Sequence, residues 1–121
     1  MQELQVNKEN CFSVLMAVYK KEQPLFFKEA LRSVFEQSLI PNEVVLVKDG
    51  PLTEELEQII VDFSSKNEQL KVITLEKNQG LGEALRIGLN ACSFDLVARM
   101  DSDDICKPYR FEKQIAFLKE H

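Results

Sequence analysis

Apolar residues recur along this chain in two alternating patterns. Cys11 to Tyr19 (Cys-Phe-Ser-Val-Leu-Met-Ala-Val-Tyr) is a nearly continuous apolar run, which predicts a strand covered on both faces. After the polar Lys20 to Gln23, Pro24 suits the first turn of a helix. Phe26, Phe27, Ala30, Leu31, Val34 and Phe35 then recur at helical spacing until near Ser38. Pro41 and Asn42 break the chain before Glu43 to Val47, a second buried strand. Leu52 or Thr53 opens a second helix, with Leu56, Ile59, Ile60 and Phe63 inward and Glu54 and Glu55 favourably placed at its N-terminus. Leu70 to Leu75 predicts a third strand, Leu81 to Ala91 a third helix, and Phe94 to Met100 a fourth strand. Pro108 opens a last helix whose apolar positions are Phe111, Ile115, Phe117 and Leu118.

Strands alternating with helices imply right-handed crossover units. The expected architecture is an open, mainly parallel, Rossmann-like α/β sheet with helices on both faces. At 121 residues the chain is one domain. Residues 1–10, polar and aperiodic, are expected to be a flexible tail, unlike a signal peptide, and residues 11–121 the folded part. A net charge of −5 with scattered Lys and Arg gives no nucleic-acid footprint. No apolar run approaches the ~20 residues needed to span a bilayer. The three cysteines have no C-x-x-C spacing, and the single histidine is His121, so a zinc site is not expected. Cys11 and Cys92 read as small packed hydrophobes.

The candidate chemistry lies where the strands end. In open α/β sheets, ligands bind outside the carboxyl ends of the strands, at the switch in strand order. Four segments should meet there: Ala17-Val18-Tyr19, Lys48-Asp49-Gly50, Asn78-Gln79-Gly80 and Asp101-Ser102-Asp103. Asp101, Asp103 and Asp104 put three like charges within four residues, which calls for an offsetting cation. Hard carboxylate oxygens suit Mg²⁺ or Mn²⁺. A solvated acidic loop is the competing reading.

Gly80-Leu81-Gly82-Glu83-Ala84-Leu85 imitates a dinucleotide fingerprint, but it follows the third strand and ends in Leu85, which would obstruct close helix–strand packing. A tight turn and a close backbone approach to a ligand explain these glycines better. A phospho-receiver would need acidic residues after its first strand. A nucleotidyltransferase would want a glycine-rich loop there, where this chain has Ala17-Val18-Tyr19-Lys20.

Taken together, Ser13 to Tyr19, Leu31 to Ser38, Val45 to Gly50, Asn78 to Arg86 and Ala98 to Asp104 resemble, in order and spacing, the N-terminal half of an inverting family 2 glycosyltransferase of GT-A fold. The resemblance implies a nucleotide-sugar donor, UDP-linked, a divalent cation (Mn²⁺ or Mg²⁺) on its diphosphate, and attack by a hydroxyl of a saccharide acceptor in cell-surface polysaccharide synthesis. By the same resemblance Ala17, Val18 and Tyr19 line the base and ribose pocket, and Asp49 reads the uracil edge. Gly80 approaches the ligand, Arg86 the ribose or diphosphate, Asp101 and Ser102 the ribose or sugar, and Asp103 holds the metal. The family often has Asp-Asp-Gly-Ser where this chain has Lys48-Asp49-Gly50-Pro51. Asp104 either orients Asp103 or caps the helix near Pro108, and Tyr19 either stacks on a base or belongs to the core. Glu22 either faces the ligand edge or, the safer reading, is a solvated loop charge; Arg99 could pair with Asp101 or a neighbour, and Arg110 with an aspartate.

The resemblance places the general base beyond residue 121, so no catalytic residue is assigned within the chain, and a donor-binding portion is expected. A non-catalytic nucleotide-sugar-binding or interaction module is the alternative. Uncovered sheet edges would favour self-association. A cytoplasmic setting is expected, with any attachment to the inner face of the plasma membrane residing in the remainder of the full-length protein.

Overall fold

The computed structural model describes residues 11–120, with side chains through residue 117. The expected tail at residues 1–10 and the placement of the Leu118 side chain lie outside the described residues. The elements run β1 (Ser13–Val18), α1 (Pro24–Phe35), β2 (Glu43–Lys48), α2 (Glu54–Lys66), β3 (Leu70–Thr74), α3 (Leu81–Ala91), β4 (Val97–Arg99) and α4 (Arg110–Glu120). The four strands form one sheet in the order β3-β2-β1-β4, with every pairing parallel. This is the open α/β architecture that the alternating pattern predicts.

β1 is central, and all six of its residues are buried. Its alternate positions serve two layers. Val14, Met16 and Val18 pack with α1, α2 and α4 through Phe27, Leu31, Leu56 and Phe111. Leu15 and Ala17 face the other way, against Ala84 of α3. Strand residues with both faces covered read as continuous apolar runs, and that is how β1 and β2 read.

α3 sits tight on the sheet because of Gly88. A Cβ there would come within 2.7 Å of Val47 Cγ2 and into contact with Leu15 Cδ1. The close packing that Leu85 seemed to deny is therefore achieved one turn further along the helix. A buried carboxylate also joins the elements. Glu43 accepts from the Ser13 hydroxyl (2.8 Å), the Ser93 N–H (2.8 Å) and the Ser93 hydroxyl (2.8 Å), tying β2 to β1 and to the α3–β4 loop. Burial pushes its pKa up, but these hydrogen bonds and the nearby Lys71 outweigh burial and leave it below the ordinary value of 4.5.

Several expectations are corrected. The fourth strand is only Val97–Arg99, rather than Phe94 to Met100. As the edge strand among the described residues it pairs with β1, and backbone bonds from Ser13 N–H to Leu96 O and from Met100 N–H to Leu15 O extend the contact. Phe26 is exposed, because Phe27, Ala30, Leu31 and Val34 already complete the buried stripe of α1. Phe117 is likewise exposed, and α4 begins two residues after Pro108. Cys11 is buried, whereas Cys92 is only partly so.

Candidate nucleotide-sugar site

The order β3-β2-β1-β4 reverses direction at β1, so the switch lies between β1 and β4. At the carboxyl ends of these two strands is a cleft of about 300 Å³ lined by Ala17, Tyr19, Glu22, Leu81, Leu85 and the segment 99–103. Here Ala17, Tyr19, Asp101, Ser102 and Asp103, separated by more than eighty residues of chain, share one cavity. A larger groove of about 550 Å³ lies between β4 and α4. It is lined by Phe12, Phe111 and Ile115 among others but by no carboxylate, so the polar chemistry belongs to the smaller cleft.

Beside the cleft, but not among the residues that line it, Asp49 and Gly80 belong to a wall formed by a clamp between the β2–α2 and β3–α3 loops. Asp49 is 5% exposed; its Oδ1 accepts the Gln79 N–H at 2.7 Å, and its N–H donates to Val18 O at 2.8 Å. Asn78 Nδ2 donates to Asp49 O at 3.3 Å. Gly50, at φ 90°, lets the two backbones meet, since a Cβ there would stand 2.6 Å from Asn78 N. The lysine preceding Asp49 leaves this wall: Lys48 Nζ pairs with Glu57 Oε1 at 2.7 Å on α2. Gly80 also has positive φ (93°), and its N–H donates to Asn78 Oδ1 at 3.1 Å as α3 begins.

The wall that lines the cleft carries charge. Asp101 and Asp103 are exposed, Ser102 is half-buried, and the Asp104 N–H donates to Asp101 O at 3.1 Å, closing the turn. Among the described residues, the aspartates of this turn make one ion pair, Arg99–Asp101 at 3.9 Å between exposed side chains. Such a pair contributes little, so the turn keeps most of its negative charge. No cluster of three or more ligating side chains occurs among the described residues. Asp101 and Asp103 offer the one or two carboxylates that Mg²⁺ or Mn²⁺ takes alongside phosphate oxygens and waters.

The far end of the turn is moored to α1. Ser33 Oγ accepts the Cys106 N–H at 2.9 Å, and Gln37 donates to Lys107 O (2.7 Å) while accepting the Phe111 N–H (3.1 Å). Both side chains are buried. Burial pushes the Cys106 thiol pKa up, which keeps it protonated against Met100.

Other expected residues take different places. Val18 turns its side chain into the α1–α2 layer, so it can shape the cleft only through its backbone. Tyr19 is 44% exposed at the cleft, which removes the core reading of its ring. Arg86 is exposed and paired with Glu83 at 2.5 Å, outside the lining of the cleft. Asp104 stands well before α4 and does not cap it; the Lys113 N–H bonds instead to Tyr109 O at 3.0 Å. Arg110 meets no aspartate and donates to Arg99 O at 3.2 Å. Glu22, expected to be solvated, lines the cleft and accepts the Ser102 hydroxyl. Its place after a strand-end loop was the only local signal.

A parallel sheet with an acidic turn facing a half-exposed tyrosine across its switch defines an open α/β domain with a candidate ligand cleft at that switch. Residues 13–121 match the family model described as glycosyl transferase family 2, and the chain belongs to that family. It is 48% identical over 110 residues to the UDP-Gal:alpha-D-GlcNAc-diphosphoundecaprenol beta-1,3-galactosyltransferase of Escherichia coli, covering 91% of this chain and 40% of that protein. The amylovoran biosynthesis glycosyltransferase AmsE of Erwinia amylovora is 46% identical over 110 residues, covering 91% of this chain and 41% of the relative. The crystal structure of S. aureus TarS 1-349 in complex with UDP-GlcNAc superposes with a TM-score of 0.79 at 32% identity, covering 92% of this chain and 32% of that one. The chain thus spans about 40% of the length of the curated relatives it matches.

Proposed function

We propose that this chain is the donor-binding portion of a metal-dependent glycosyltransferase that moves a sugar from a UDP-sugar to a saccharide acceptor in surface-polysaccharide synthesis. The observation that carries the reading is the placement of Asp101-Ser102-Asp103 across one cleft from Ala17 and Tyr19, at the sheet's switch point. The named substrates of the relatives and the UDP-GlcNAc bound to TarS support the choice of donor.

In this reading Tyr19 stacks on the base, and the Asp49 clamp, held by Gln79, presents a rigid edge to it. Asp101 and Ser102 approach the ribose or sugar, with Gly80 leaving the cleft open beside α3. Arg86 would have to exchange Glu83 for a phosphate to take part. Asp103, with Asp101 beside it, would hold Mn²⁺ or Mg²⁺, which supplies positive charge against the diphosphate oxygens as negative charge develops there. The acceptor oxygen forms a bond to the anomeric carbon as the bond to the diphosphate breaks, and the nucleoside diphosphate departs with the electron pair. The acceptor proton goes to a general base that we assign to the part of such enzymes not spanned here. Attachment to the inner face of the plasma membrane is assigned to that part as well; no helix among the described residues is long and apolar enough to cross a membrane. Among the described residues β4 is an edge of the sheet, which gives a surface for the self-association that light scattering would detect.

The test is calorimetry of the chain against uridine, guanosine and adenosine diphosphates, each with and without Mn²⁺. Binding of uridine diphosphate, favoured over the others and strengthened by Mn²⁺, is expected. Equal binding of all three, or none, would refute the donor assignment.

A further inference from the structure

We infer that Glu22 is a positioning residue for the acidic turn, acting through Ser102 rather than by touching the cation or the donor. This rests on the donor-site reading above and deepens it. Glu22 is half-buried in the β1–α1 loop, and its place is fixed on both sides. Its N–H donates to Tyr19 O at 3.0 Å, and its Oε2 accepts the Gln23 N–H at 2.9 Å. The remaining oxygen, Oε1, accepts the Ser102 hydroxyl. Ser102 is the middle residue of the segment Asp101-Ser102-Asp103, so the bond reaches the turn at its centre.

The consequence is mechanical and electrostatic. Three aspartates within four residues repel one another, and an exposed turn would relieve the repulsion by spreading. Mooring at Ser33 and Gln37 restrains only the far end, at Cys106 and Lys107. The Glu22–Ser102 bond supplies restraint at the near end and joins it to the loop that carries Tyr19. The base-side and phosphate-side walls are thereby held at a set separation. A hydrogen bond to a charged acceptor is among the stronger ones, which suits it to oppose like-charge repulsion. Holding the turn in advance lowers the ordering cost of binding a cation and diphosphate together. A ligand that never reaches the turn gains nothing from it.

Calorimetry of uridine diphosphate with Mn²⁺, and of uridine alone, on the wild-type chain and on Glu22→Ala, Glu22→Gln, Ser102→Ala and the Glu22→Ala/Ser102→Ala pair tests this. Glu22→Ala and Ser102→Ala should each weaken Mn²⁺-dependent diphosphate binding about tenfold, and Glu22→Ala should weaken uridine binding far less. The double variant should be no worse than either single one, because the two side chains act as one unit. Glu22→Gln, which keeps an acceptor oxygen, should recover most of the affinity. If Glu22→Gln is as damaged as Glu22→Ala while Ser102→Ala is intact, Glu22 contacts the cation directly and the inference fails. Unchanged diphosphate binding by Glu22→Ala also overturns it, with the donor reading left standing. A wild-type chain that does not bind uridine diphosphate overturns both.

Discussion

The clamp wall beside the cleft and the acidic wall that lines it are built on opposite terms. On the β2–β3 side, Asp49 is buried and bonded, Gly50 lets two backbones touch, and Lys48 is neutralised by Glu57. On the β4 side, the strand is three residues long, the aspartates are exposed, and the turn is held by a few bonds from α1 and its preceding loop. The first wall is fixed by sterics and hydrogen bonds already made, so it can read shape. The second keeps most of its negative charge, which the proposed cation would offset. Mutations in the first wall should therefore cost folding stability, and mutations in the second should cost binding.

Gly50→Ala should show the largest stability effect. Positive φ strains any other residue, and the new methyl meets Asn78 backbone at 2.6 Å. A loss of about 3 kcal/mol is expected from strain and overpacking together, read by urea unfolding; a loss below about 1 kcal/mol would mean the clamp is slack.

Glu43→Gln should come next, at about 1 kcal/mol at neutral pH, because the charge-assisted bonds from Ser13 and Ser93 become neutral ones and Lys71 loses its charged partner. The pH dependence has a definite sign. Glu43 has a folded pKa held below its ordinary value of 4.5, so its contribution is present in full above that value. It is lost as pH falls through the lowered folded value. The gap between wild type and Glu43→Gln should accordingly narrow in unfolding curves taken below pH 4.5. A gap that widens there would contradict the assignment.

Much of this contrast is legible in the sequence. β1 and β2 are found because both faces are covered and every position must be apolar. The boundaries of α3 follow from Gly80 and the stripe that ends at Ala91. β4 is overextended from sequence, since Phe94 to Met100 is apolar enough for a strand while, among the described residues, one neighbour pairs with it. Phe26 and Phe117 fit a helical period but not the buried stripe, and periodicity alone cannot choose the face. The strand ends that form the site are readable because topology brings them together. The supports are not. Ser33, Gln37 and Glu22 act on residues seventy or more positions away, and such pairings leave no local pattern. Gly88 escapes notice for the same reason, because its crowding comes from Leu15 and Val47.

Asp103→Ala should have the smallest effect on folding, with an unchanged melting temperature, because its side chain is exposed and outside the core. That makes it the cleanest probe of the second wall. The decisive measurement is uridine diphosphate affinity with and without Mn²⁺ for wild type and Asp103→Ala. The account predicts that Mn²⁺ strengthens binding to the wild type and that Asp103→Ala abolishes this gain while keeping the metal-free affinity. A variant that still gains the full increment from Mn²⁺ would show that the cation sits elsewhere and contradict the assignment of this turn.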